Sequence, residues 1–74
     1  MAYSRETVAA RIRGLRAERS MSQADLATAA SVSLDTISHY EKGDYAPNAD
    51  KIPALCTALD CSPNYLLGWT EERN

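Results

Sequence analysis

The chain has no run of eighteen apolar residues, so no segment of it reads as a membrane-spanning helix. The stretch Met1-Ala2-Tyr3-Ser4-Arg5-Glu6 has no apolar h-region, which argues against a secretory leader and makes a cytoplasmic location the expectation. Cysteine is sparse. Cys56 and Cys61 are the only two, and a disulfide between them is not expected in a reducing compartment. Histidine is sparser still: His39 stands alone, too few ligands for a zinc site, so no metal is expected and the two thiols read as small buried side chains. No carboxylate pair, His/Cys pairing or glycine-rich phosphate loop stands out, so catalysis, a cofactor and a small-molecule substrate are not expected. Repeats, low-complexity tracts and linkers are missing as well.

What is present fits one small domain over residues 1–74, with its core at about 5–69. A chain of 74 residues buries only about 60% of the surface its unfolded form exposes. Such a core leans on close helix packing or a partner subunit. Apolar residues make up 45%, enough for a globular chain. The formal net charge of −2 is unfavourable for binding a polyanion, but its distribution is uneven. Residues 1–19 carry five arginines against Glu6 and Glu18, whereas residues 20–74 carry Lys42, Lys51 and Arg73 against eight acids. One basic helix on an acidic body can still present a positive face.

The apolar periodicity and turn residues predict five helices and no strand. The first runs from about Arg5 to Arg19, with Ser4 as its cap and Val8, Ile12 and Leu15 forming one stripe at i, i+4 and i+7. The second follows Ser22, with Asp25 placed to complete a capping box, and ends near Ala30. The third follows Ser33 and stops at Gly43 after Lys42. Only Ser31, Val32 and Ser33 separate the second from the third, which forces a tight turn between two packed helices. Ala27 has to be small where those helices cross. The fourth is expected from after Asn48 to about Leu59, with a delayed or bent start because Pro53 removes a backbone donor. Ser62 and Pro63 open a short fifth helix that Gly68 ends.

Taken in order, Ser22-Gln23-Ala24-Asp25-Leu26-Ala27, Val32-Ser33, Ile37-Ser38-His39-Tyr40-Glu41-Lys42-Gly43 and Pro47 resemble the Cro/CI-type (XRE) helix-turn-helix family, which includes the lambdoid phage repressors. The stretches Ile52–Leu59 and Cys61–Gly68 extend the resemblance to about residues 7–69. It implies an all-α, compact five-helix, lambda-repressor-like DNA-binding domain, with the helix-turn-helix at 23–43. It further implies a transcriptional regulator, most commonly a repressor of phage or prophage type, that binds double-stranded DNA as a homodimer. The helix from Leu34 to Lys42 then reads the major groove, with half-sites about one helical turn, roughly 34 Å, apart.

By the same resemblance, Leu34, Asp35, Ser38 and His39 face base edges. Leu34 suits a thymine methyl, Asp35 a cytosine amino group, Ser38 most bases and His39 guanine. Each also has a plain structural alternative as a surface or helix-start residue. Gln23, Ser33 and Lys42 occupy positions that contact the DNA backbone, and Tyr45 in the following loop either touches a phosphate or packs on the core edge. Glu41 is expected to pair with Arg16 as a structural ion pair. Trp69 either folds back on the core or enters a dimer interface. Two departures stand out: Ser31 and Asp60 occupy turn positions that are usually glycine, where a left-handed backbone costs roughly 1 kcal/mol. The base-facing set also lacks the Arg, Asn and Gln that give bidentate readout. A second reading therefore stands beside the first, a protein-interaction module such as an antitoxin or an anti-repressor partner on the same fold. Seventy-four residues leave no room for an effector or cleavage domain, so control is expected through concentration, a protein partner or degradation.

Overall fold

The computed structural model describes residues 3–73. Among them are five α-helices and no strand: α1 (Arg5–Glu18), α2 (Gln23–Ala30), α3 (Leu34–Lys42), α4 (Ile52–Leu59) and α5 (Pro63–Leu66). A 3₁₀ turn, Ala49–Lys51, leads into α4.

Serine starts four of the five helices for one physical reason. The first turn of a helix has unpaired N–H groups, and a serine hydroxyl one step before it can accept from one of them. Ser4, Ser22, Ser33 and Ser62 accept from the amides of Thr7, Asp25, Thr36 and Tyr65. At α2 the arrangement is reciprocal, since the Asp25 carboxylate accepts from the Ser22 amide at 3.0 Å. That bond holds the Asp25 carboxyl below its ordinary range. Pro63 opens α5 where no donor is needed. The delayed start expected at Pro53 is present: a 3₁₀ turn precedes α4, which begins at Ile52, so that Pro53 falls in the first turn, where its missing N–H breaks no helical bond.

The ends of α1 to α4 share one device. A left-handed residue closes each, and the next amide reaches back to the carbonyl five residues earlier: Met21 to Arg16, Val32 to Ala27, Asp44 to His39 and Cys61 to Cys56, at 3.0, 3.0, 3.1 and 3.0 Å. The left-handed residues are Ser20, Ser31, Gly43 and Asp60, so only one is glycine. The turns at Ser31 and Asp60 thus keep the geometry glycine would give, at a cost of about 1 kcal/mol each.

These turns fold the helices around one core. The fully buried residues Ile12, Leu15, Leu26, Ile37, Leu55, Leu59 and Leu66 come from all five helices. Helix α1 packs on α3 and α5, while α2 packs on α3 and α4. Ala27 is buried in that core, as the close approach of two short helices demands. Cys56 and Cys61 are buried free thiols, and burial pushes the Cys56 thiol up to about 12, so it stays protonated. Among the described residues no helix is long and apolar enough to cross a membrane.

Candidate nucleic-acid interface

Helix α3 has two sharply different sides. Ile37, Tyr40 and Glu41 are buried. Leu34, Asp35 and Lys42 are exposed, with Ser38 and His39 half-buried beside them. At 100° per residue, Leu34, Ser38, Lys42, Asp35 and His39 share one outer face. The four residues expected at base edges therefore stand together, free of the core, with Lys42 at the end of the row. Leu34 is 51% exposed and so available to an apolar partner.

The support beneath that face is polar and buried. The Glu41 side chain, 5% exposed, accepts from Arg16 Nε at 2.7 Å and from Arg16 Nη2 at 3.1 Å. Gln23 Nε2 donates to the same carboxylate at 3.1 Å. Three elements are tied at one point: α1 through Arg16, α2 through Gln23 and α3 through Glu41. Arg16 Nη1 also donates to the Met21 carbonyl at 2.7 Å, closing the end of α1. The carboxylate bond raises the Arg16 guanidinium above its ordinary range. Gln23 thus braces α3 while its half-exposed side chain stays at the surface near the N-terminus of α2.

Ser33 spends its hydroxyl inside the protein, accepting from the Thr36 amide at 3.0 Å and lying 2.8 Å from the Thr36 hydroxyl. His39 is more constrained than an idle surface residue. Its Nδ1 lies 2.8 Å from Asp44 Oδ2, its Nε2 lies 3.4 Å from Asp35 Oδ2, and its ring stacks on Tyr45 with centroids 5.5 Å apart. Tyr45 meets the edge of Tyr40 at 5.7 Å yet remains 46% exposed. It therefore rests on the core edge, with part of its ring open to solvent.

The arginines of α1 do not form a free positive face. Arg5 reaches Glu6 and the Asp44 carbonyl, Arg11 reaches Glu71 and the Thr70 carbonyl, Arg13 donates to the Glu41 carbonyl, and Arg19 reaches Asp60. Arg11 also lies 3.9 Å over the Tyr65 ring. The basic helix expected to serve an outside partner is largely used to fasten α3, the loop after it and the chain end back onto α1. Arg5 and Arg13 remain exposed despite these bonds, Arg13 beside the last turn of α3. Sequence reading overlooked Asp44, Arg13 and Tyr3. The Tyr3 hydroxyl donates to the Pro47 carbonyl at 2.8 Å, and its ring meets Trp69 edge-on at 6.4 Å. Trp69 folds back only in part and stays 43% exposed.

Comparison with known proteins agrees with this geometry. A helix-turn-helix family model matches residues 12–66. Repressor protein C2 of Salmonella phage P22 is 42% identical over 57 residues, covering 77% of this chain and 26% of that protein. The HTH-type transcriptional regulator DicA of Escherichia coli is 34% identical over 67 residues, covering 90% of this chain and 50% of that protein. The chain thus spans between a quarter and half the length of these curated relatives. The crystal structure of the P22 c2 repressor with a synthetic operator superposes with a TM-score of 0.80 at 38% identity, covering 85% of this chain and 96% of that one. On the motifs, the five-helix fold and these matches together, the chain belongs to the helix-turn-helix family, of the Cro/CI type.

Proposed function

We propose that this protein is a sequence-specific DNA-binding transcriptional regulator, a repressor that lays the outer face of α3 in the major groove. The observation that carries the reading is that face itself. Leu34, Asp35, Ser38, His39 and Lys42 stand clear of the core on a helix anchored from below by the Arg16–Glu41–Gln23 cluster. A rigid helix with an exposed polar edge is what groove reading requires. The similar P22 c2 repressor is known in complex with a synthetic operator, which supports DNA as the partner.

In this reading Leu34, Asp35, Ser38 and His39 meet base edges, while Gln23, Ser33, Lys42 and Tyr45 meet the sugar-phosphate backbone. Ser33 contributes through its helix-start position, since its hydroxyl is already engaged. The recognition unit is residues 23–43 within a single domain. The active species is a homodimer, with exposed Trp69 beside Tyr3 as the contact, and the protein acts in the cytoplasm.

Selection of bound duplexes from a random pool tests this directly. The expected product is one enriched sequence with two-fold symmetry and half-sites roughly 34 Å apart. Its affinity should fall steeply with salt as phosphate contacts release counterions. Failure to retain any duplex at low salt would favour the protein-interaction reading. The internal pairing of the α1 arginines and the overall charge of −2 are the features that speak for that alternative.

A further inference from the structure

The chain leaves α3 at Gly43 and forms no helix of its own until Ala49. This loop carries Tyr45, whose ring stacks on His39 with centroids 5.5 Å apart and meets the edge of Tyr40 at 5.7 Å. Among the described residues, two side chains hydrogen-bond to the backbone of residues 44–47, and both come from the start of the chain. Tyr3 Oη donates to the Pro47 carbonyl at 2.8 Å, and Arg5 Nη1 donates to the Asp44 carbonyl at 3.3 Å. The two bonds bracket Tyr45.

A polyanion acts differently on these two ties. Arg5 is exposed and already paired with Glu6 at 3.0 Å, and an approaching phosphate competes for its guanidinium. The Tyr3 hydroxyl is neutral, and its bond is shorter and half-buried, so neither salt nor phosphate draws it away. Pro47 is fully buried, which puts the accepting carbonyl on a fixed residue. The Tyr3 ring is itself held by Trp69, which it meets edge-on with centroids 6.4 Å apart. A loop with few hydrogen bonds of its own opens readily, and ordering it at the moment of binding costs affinity.

We infer that Tyr3 is a positioning residue for DNA binding: its bond to the Pro47 carbonyl holds the loop that presents Tyr45 to the sugar-phosphate backbone. The inference rests on the DNA-binding reading above, in which Tyr45 makes such a contact. Tyr3 itself touches no DNA. It restricts the loop before docking, so that the Tyr45 contact forms with little further ordering. Without the Tyr3 hydroxyl the Pro47 end of the loop is released while the stack of Tyr45 on His39 remains, so the loss is partial.

The test uses the duplex recovered by selection, with affinity measured by fluorescence anisotropy at a temperature where circular dichroism shows every variant folded. Tyr3→Phe deletes the hydroxyl and keeps the ring on Trp69. It should weaken binding about three- to fivefold, the worth of one ordinary hydrogen bond. Tyr45→Phe keeps the stack on His39 and should weaken binding through the lost backbone contact. The two substitutions together should cost no more than the larger single loss, since Tyr3 acts through Tyr45. Duplexes with one phosphate at a time neutralised as a methylphosphonate add a readout that a mere loss of stability would not move. At the phosphate Tyr45 meets, neutralisation should cost the wild-type chain more than it costs Tyr3→Phe or Tyr45→Phe, with the other positions alike. Three results overturn the inference and leave the DNA-binding reading standing: Tyr3→Phe binding as tightly as the parent, penalties that multiply in the double variant, or a phosphate profile unchanged by Tyr3→Phe. If the wild-type chain retains no duplex at low salt, both fall together.

Discussion

Replacing Arg16 with methionine is expected to destabilise the fold by about 3 kcal/mol, the lower end of the range for stranding one member of a buried ion pair. The low end applies because the Arg16 side chain is itself 23% exposed, so its own loss of solvation is partial. What makes the effect large is the partner. The Glu41 carboxylate is 5% exposed, and without Arg16 only the Gln23 amide remains to satisfy it. Arg16→Met also removes the bond that closes α1 on the Met21 carbonyl. For a domain of this size the loss corresponds to a fall in thermal midpoint of more than about 10 °C.

The companion variant separates charge from packing. Replacing both Arg16 and Glu41 with methionine leaves no uncompensated charge and should recover most of the stability, as buried pairs replaced by apolar residues often do. A double-mutant cycle from urea denaturation would read the coupling between the two positions. Coupling near zero would show that the pair is not a structural tie.

Gly68→Ala is the second substitution expected to be severe, at about 2–4 kcal/mol from two independent sources. The backbone at Gly68 has φ of +81°, a conformation that costs other residues roughly 1–2 kcal/mol. The added methyl would also stand 2.6 Å from the Thr7 Cγ2 atom on α1. Overpacking of that kind costs about 1–3 kcal/mol. Thr7 is β-branched and cannot swing its methyl aside freely. The Thr7→Ser change removes that methyl, so the double variant should regain the steric share and keep the backbone share. A Gly68→Ala protein with the urea midpoint of the parent would contradict the account of the chain end held tightly to α1.

Much of the fold was legible because its signals are local. A serine before an apolar-periodic run marks a helix start, and Ser4, Ser22, Ser33 and Ser62 all act as such caps. The three-residue connection at Ser31 forces a turn, and the family resemblance marks both Ser31 and Asp60 as positions usually held by glycine; both adopt the left-handed backbone. Ser20 does the same at the end of α1, where the sequence placed the helix end near Arg19 without marking the left-handed residue.

Long-range polar contacts were less readable. The excess of positive charge in the first nineteen residues was plain, yet its use was not. The groups that absorb it, Glu41, Asp60, Glu71 and the Thr70 carbonyl, lie far away in sequence and meet α1 only after folding. The Arg16–Glu41 pair was anticipated through family resemblance rather than spacing. His39 was chosen as a base-facing residue, but its link to Asp44 depends on the turn at Gly43 folding the loop back over α3, where the Asp44 amide meets the His39 carbonyl. Tyr3 went unnoticed for a similar reason: its partner, the Pro47 carbonyl, is 44 residues away.

The central claim is that the outer face of α3 meets DNA. Amide chemical shifts recorded by NMR as the selected duplex is added test it residue by residue. The account predicts the largest changes at Leu34, Asp35, Ser38, His39 and Gln23, with Ala54, Cys56 and Leu59 of α4 nearly still. Changes confined to α4, α5 and Trp69, with α3 unmoved, would contradict it.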